Sequence, residues 1–201
     1  MNWLSKVLKK YEGDRFYNEI IIGKEYRAAR TKRKADVVID VGSLSGEFSM
    51  YMYDRAQVIY ALEPYSDHFV ELYNNIKDFE LTKIKPFRLA LSNYNGEGTL
   101  AIGSRGGHKL ISGSGNGKTE TVDVKTLATF MKDEKIDNVD ILKIDIENGE
   151  IEVFTSPDFE KVARKINFII GEHSSTEVSD ALHKYGFYFV NTPRGWIAKR
   201  I

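Results

Sequence analysis

An α/β fold, a mostly parallel sheet with crossover helices, is the class this sequence predicts, and two observations predict it. Short apolar runs of strand length alternate with segments whose apolar residues recur at helical spacing. Several runs also end in glycines and acids, and an open α/β sheet binds its ligands beyond the carboxyl ends of its strands.

The elements follow in order. Trp3, Leu4, Val7, Leu8 and Tyr11 stand at helical spacing and predict an amphipathic helix. A basic stretch, Arg27, Arg30, Lys32, Arg33 and Lys34, comes next, so residues 1–34 read as a helical extension and 35–201 as the main domain. Val37 to Val41 is the first apolar run. A helix with Phe48, Tyr51 and Met52 on one side leads to the second, Val58 to Leu62. Ser66 is the expected N-cap of a helix carrying Phe69, Leu72, Tyr73 and Ile76. The third run, Ile84 to Leu91, contains Pro86, which cannot donate to a ladder and therefore predicts an edge strand.

Between Gly96 and Val124 a short strand, a loop rich in glycine and serine, and the alternating Thr121 to Val124 predict a β-hairpin inserted between the third and fourth strands. Val139 to Ile146 and Ile166 to Gly171 are the next strands. Ser174 and Glu177 form a capping-box pattern before Val178, Ala181, Leu182 and Tyr185, and Gly186 ends that helix. Phe187 to Val190 and Trp196 to Ala198 predict a closing antiparallel hairpin.

Composition narrows the function classes. The chain has 201 residues, is 42% hydrophobic and holds four prolines, enough for one sizeable core. Twenty-nine basic residues balance twenty-nine acidic ones, so no net field recruits nucleic acid or an anionic membrane. Cysteine is absent, which removes thiolate nucleophiles and cysteine-ligated zinc and agrees with a reducing compartment. No apolar run reaches membrane-spanning length, and Lys6, Lys9 and Lys10 interrupt the one candidate signal-peptide core. A cytoplasmic protein without membrane insertion is the expectation.

The first run ends Asp40-Val41-Gly42-Ser43-Leu44-Ser45-Gly46, a strand, a glycine turn and a helix. Glycines there let a ligand approach the backbone. Glu63 ends the second run twenty-one positions after Gly42, where an acid commonly takes the ribose hydroxyls of an adenosine. A dinucleotide fingerprint would place glycine where Leu44 stands. Asp40 beside the turn would repel a pyrophosphate but suits a ligand carrying an ammonium and a sulfonium, so the electrostatics favour S-adenosylmethionine. Three other motifs lack context. Ser112 to Thr119 approximates a P-loop but is followed by alternating Val122 and Val124 instead of a helix. The serines of the glycine turn are one place off a nucleophile elbow, and the four histidines contain no H-E-x-x-H.

The fourth run ends Lys143-Ile144-Asp145-Ile146-Glu147-Asn148-Gly149-Glu150, and the fifth ends Gly171-Glu172-His173. If the strand continues, Asp145 and Glu147 share a face. With Asp40 they make a carboxylate-rich pocket mouth; helix N-terminal charges are the alternative reading. His173 stands before a capped helix whose positive end disfavours imidazolium, which makes it a candidate base. Asp145 and Glu172 could orient that ring, or could join Glu147 around a divalent ion such as magnesium. The glycine-rich stretch Gly103 to Lys118 is expected to be an acceptor lid or a plain linker, with His108 and Lys109 suited to contacting the acceptor.

Asp40 to Gly46, Glu63-Pro64, Leu89 to Asn93 and Leu142 to Glu150 together resemble the FkbM-type methyltransferase family over about Val37 to His173. Family members usually have Gly-Ala where this chain has Asn148-Gly149, and asparagine tolerates the left-handed turn needed there. The resemblance implies a Rossmann-like class I methyltransferase sheet of order 3-2-1-4-5-7-6, an S-adenosylmethionine cofactor and O-methylation of a sugar or small-molecule hydroxyl. It implies cofactor contacts from Asp40, Gly42, Ser43, Gly46, Glu63, Pro64, Ala90, Leu91 and Asp145. A small-molecule or glycan acceptor is expected. The alternatives are a nucleic-acid methyltransferase or binder using Arg27 to Lys34, and a non-catalytic S-adenosylmethionine-binding module.

Overall fold

The structure is a computed structural model that describes residues 3–11, 34–104, 107–113, 117–172, 175–192 and 195–201. Arg27 to Arg33, His173 and Ser174 lie outside the described residues. The main sheet has seven strands, β1 (Ala35–Val41), β2 (Ala56–Leu62), β3 (Ile84–Phe87), β8 (Ile141–Ile144), β9 (Phe168–Gly171), β10 (Phe187–Thr192) and β11 (Gly195–Arg200). Their order is β3-β2-β1-β8-β9-β11-β10, all parallel except β11, which runs antiparallel to both of its neighbours. Counted along the main sheet alone, this is the expected 3-2-1-4-5-7-6.

Side chains of the central strands alternate between two cores. Ile39, Val41, Leu62, Leu142, Ile144 and Ile169 pack on one face with Phe130, Phe154 and Trp196. Val38, Ile59, Ala61, Ile141 and Ile170 pack on the other with Phe48, Met50 and Leu72. Burial on both faces is why these runs read as continuous apolar stretches. It also places two charged residues inside. Asp40 follows Val38 at the strand period of two, Lys143 follows Ile141 likewise, and the two are register partners, so both point into the second core.

That second core is covered by α1 (Trp3–Lys10), α2 (Glu47–Met52) and α3 (Ser66–Asp78), with Val7 and Tyr11 buried in it. The other face carries α4 (Leu127–Asp133), α5 (Glu150–Phe154), α6 (Glu160–Ala163) and α7 (Thr176–Lys184).

Several boundaries differ from expectation. The third run splits after Phe87: β3 is the sheet edge, as Pro86 requires, whereas β4 (Ala90–Leu91) joins a second sheet. That sheet also contains β5 (Gly96–Ala101), β6 (Lys109–Ile111) and β7 (Thr119–Lys125) in order β4-β7-β5-β6, so the insertion is a three-stranded antiparallel unit and not a hairpin. Leu100, Val122, Val124 and Ala90 give it a small core with Tyr65. Ser66 is the first helical residue of α3 and not its cap; its hydroxyl donates to Glu120, and Tyr65 occupies the cap position. The cap of α7 is Ser175, which accepts from the Val178 amide at 3.2 Å. β8 stops at Ile144, and beyond it the chain turns, with Glu147 and Asn148 left-handed at φ of 54° and 69°. Asp145 and Glu147 therefore do not share a face by strand alternation. Glu150 folds back to accept from the Ile146 amide at 3.3 Å, which holds this turn.

Candidate active site

The glycine turn between β1 and α2 is conformationally expensive. Gly42, Leu44 and Gly46 have φ of 74°, 49° and 100°. Left-handed backbone costs a residue such as Leu44 roughly 1–2 kcal/mol and persists where neighbours over-determine it. They do so here. The Gly42 and Ser43 amides both donate to the Leu62 carbonyl at 3.0 Å, the Gly42 carbonyl accepts from Lys143 Nζ at 2.6 Å, and the Leu44 amide donates to Glu63 Oε2 at 2.9 Å. A Cβ on Gly42 would overlap the Asp145 carbonyl oxygen, so the ends of β1 and β8 meet at that glycine.

A cavity of about 340 Å³ opens at this strand end. Of the expected cofactor residues, Gly42, Glu63, Pro64, Ala90, Leu91 and Asp145 line it. Asp40, Ser43 and Gly46 are not among its lining residues. Asp40 is fully buried; it accepts from Ser49 Oγ at 2.7 Å and lies 3.3 Å from Lys143 Nζ. It therefore steadies the strand ends from inside instead of facing a ligand's ammonium. Ser43 is buried too, with a hydroxyl that has no hydrogen-bond partner among the described residues.

Lys143 is the principal residue the sequence reading left without a role. Its ammonium is 3.3 Å from Asp40 and 3.8 Å from Asp145. Burial alone would lower its pKa, but Asp40 and then Asp145 outweigh burial and raise it. A lysine inside a buried apolar run was the available signal, because buried lysines are paired.

Glu63 is also buried, and its second oxygen accepts from the Tyr65 amide at 2.9 Å. Burial pushes its pKa up to about 7 despite these bonds, and the same cause takes Glu47, hydrogen-bonded to Ser45 Oγ at 2.5 Å, to about 7. Both carboxyls thus hold protons in the native state that the unfolded chain has released above its ordinary value of 4.5. Their contribution to stability is complete below pH 4.5 and is lost as pH rises through 7, by up to about 3 kcal/mol per group. Urea unfolding should accordingly show stability falling between pH 5 and 8, and Glu47→Gln should flatten that fall; a variant with the wild-type pH slope would remove Glu47 from the account.

The other expected site residues divide. Glu147, Glu172, His108 and Lys109 line the same cavity as Glu63 and Asp145, and Glu152, which the sequence reading passed over, joins them. His108 sits against residues that follow Glu63, with its ring centroid 4.4 Å from Tyr65 and 4.9 Å from His68. Burial, and then His68, lower its pKa. His173 is outside the described residues. Among the described residues no three acids or histidines form a group that could hold a metal ion, so Asp145, Glu147 and Glu172 do not fit a magnesium ligand set. The P-loop-like segment enters β7 at Thr119, a strand where that motif needs a helix. No helix among the described residues is long and apolar enough to cross a membrane.

Residues 40–189 match the methyltransferase FkbM domain, a span that contains the glycine turn, Glu63 and the whole cavity lining. The chain belongs to the FkbM methyltransferase family. Among solved structures, an FkbM methyltransferase from Methylobacillus flagellatus is similar over 91% of this chain and 47% of its own length, with 14% identity and a TM-score of 0.60. This chain thus spans about half the length of that protein. A precorrin-6y C5,15-methyltransferase from Geobacter metallireducens is similar over 89% of this chain and 87% of its own, with 12% identity and a TM-score of 0.55. M. capricolum TrmK, solved with S-adenosylhomocysteine, shares 11% identity over 88% of this chain and 67% of its own, at a TM-score of 0.54. At these identities the structural likenesses establish the Rossmann-like methyltransferase fold. No curated protein matches the chain.

Proposed function

We propose that this FkbM-family chain transfers a methyl group from S-adenosylmethionine to a hydroxyl oxygen of a neutral, polyhydroxylated small molecule such as a sugar. The observation that carries the reading is the distribution of charge in the cavity. Glu63 and the glycine turn border one part of it, and among the described lining residues Asp145, Glu147, Glu152 and Glu172 supply four further acidic side chains beside one lysine, Lys109. Carboxylates accept hydrogen bonds from hydroxyl groups and repel phosphates, so this lining favours a sugar-like acceptor over a nucleic acid.

The residues present fit the cofactor. Gly42 lines the cavity and, having no Cβ, lets the end of β8 close against the turn, and each Glu63 oxygen, having accepted one amide, keeps a second lone pair for a ribose hydroxyl. Pro64, Ala90 and Leu91 offer apolar wall beside it. When bound, S-adenosylmethionine supplies an electrophilic methyl on a sulfonium. This chain's own part is to position the acceptor oxygen, with Asp145 and Glu172 accepting its neighbouring hydroxyls, and effective positioning is worth several orders of magnitude in rate. His173 adjoins Glu172 in the chain and takes the acceptor proton in this reading, while Asp40 acts through Lys143 on the turn.

Radiolabelled methyl transfer into separate acceptor pools tests it. Label should enter neutral glycans or polyols and not RNA or DNA, and Glu63→Ala should weaken S-adenosylhomocysteine binding in calorimetry. Label confined to nucleic acid, with none in hydroxylated small molecules, would overturn the acceptor class.

A further inference from the structure

The glycine turn has a support that begins outside the matched span, at Lys10 and Tyr11. Asn75 of α3, 1% exposed, donates from Nδ2 to the Ser45 carbonyl at 2.8 Å, in the middle of the left-handed stretch. An amide can face a carbonyl either way round, and its partners decide which end points where. Asn75 Oδ1 accepts from Tyr11 Oη at 2.7 Å and from Lys10 Nζ at 2.7 Å. Two donors on one side force the amide nitrogen to the other, toward Ser45. Tyr11 is itself fastened through its amide to the carbonyl of the buried Val7 one helical turn earlier, and its one hydroxyl proton, nearer Asn75 Oδ1, is shared with Glu71 Oε1 at 3.0 Å. Burial, and then the Glu71 charge, hold its pKa well above the ordinary value, so the phenol stays a donor. The Ser45 hydroxyl continues the chain of bonds to Glu47 at the start of α2.

We infer that the N-terminal helix is part of the cofactor site: Tyr11 and Lys10 orient Asn75, and Asn75 holds the Ser45 carbonyl that keeps the glycine turn in its binding conformation. Tyr11 and Asn75 are positioning residues, since neither lines the cavity. The turn needs such struts because three of its five residues from Gly42 to Gly46 are left-handed, one of them a leucine. Glu63 and Lys143 brace the cavity side, and the Tyr11–Asn75 relay braces the opposite side. This inference rests on the reading of the turn as the S-adenosylmethionine site.

The test uses the full chain and S-adenosylhomocysteine as the probe. Tyr11→Phe removes one hydroxyl and should raise the dissociation constant about 3- to 10-fold, the equivalent of one neutral hydrogen bond. Asn75→Ala should raise it about tenfold or more, since it also orphans the buried Ser45 carbonyl. In the ligand-free protein both variants should speed amide hydrogen exchange at residues 43–47 while β1 and β8 exchange at the wild-type rate, a localised change that general loosening would not produce. Folded variants that bind within twofold of wild type, with unchanged exchange at 43–47, overturn the relay. Should Asn75→Ala fail to fold, Tyr11→Phe decides by itself. Wild-type protein that binds neither S-adenosylhomocysteine nor S-adenosylmethionine would sink the cofactor reading instead, and the exchange comparison would still accept or reject the relay.

Discussion

Lys143→Met is expected to destabilise the protein by about 3–5 kcal/mol, the usual consequence of deleting one member of a buried ion pair. The methionine fills nearly the same volume, so the loss comes from charge. Asp40, fully buried, would keep the Ser49 hydroxyl as its one side-chain donor among the described residues, the Gly42 carbonyl would lose its donor at 2.6 Å, and the Val41 carbonyl would lose the lysine at 3.3 Å while keeping the Asp145 amide. Asp145 would lose the ammonium 3.8 Å away at the cavity edge. Urea denaturation at neutral pH measures the effect. A double variant, Asp40→Val with Lys143→Met, should recover a substantial part of it, because replacing both members of a buried pair by apolar groups is often neutral. A single variant within about 1 kcal/mol of wild type would mean that water reaches this pair, contrary to its burial.

Gly42→Ala should abolish measurable S-adenosylhomocysteine binding, a loss of roughly 100-fold or more in affinity, which corresponds to about 2.7 kcal/mol. Two costs coincide at this residue. Its φ of 74° is the left-handed region, and the added Cβ would overlap the Asp145 carbonyl oxygen, a backbone atom that cannot move without shifting the end of β8. Either the turn or the Asp145 strand end must give way, and the proposed site uses both. Gly46→Ala is the informative comparison. Its φ of 100° is also strained, but its Cβ would meet only Leu72 Cδ1, the tip of a flexible side chain. Isothermal titration should therefore rank Gly42→Ala far below Gly46→Ala, and equal affinities would remove the strand-end contact from the explanation.

Much of the fold was legible because its signals are local. Continuous apolar runs such as Val58 to Leu62 mark strands buried on both faces, and Pro86 marks an edge whichever residues surround it. The left-handed Asn148 was legible for the same reason, since the preference belongs to the residue itself. Cap positions were less so. Ser66 and Ser174 matched patterns, but Ser66 turned to Glu120 in the inserted sheet, and the cap of α7 fell to the adjacent Ser175. A hydroxyl chooses among partners that only tertiary contacts supply.

The sequence by itself determined the alternation of strands and helices, the glycine turn, the acid at Glu63 and the signature around Asp145, because spacing and residue type carry that information. Tertiary structure alone decided which acids face the cavity. Asp40 and Asp145 look equivalent along the chain, yet strand parity buries the first against Lys143, whereas the end of β8 releases the second to the cavity. It also decided that Glu152 and His108 share one cavity with Glu63, and that Tyr11 reaches the glycine turn through Asn75 across 64 positions of sequence. Such pairings depend on which surfaces the sheet order brings together, and no local preference encodes a distance between residues so far apart in the chain.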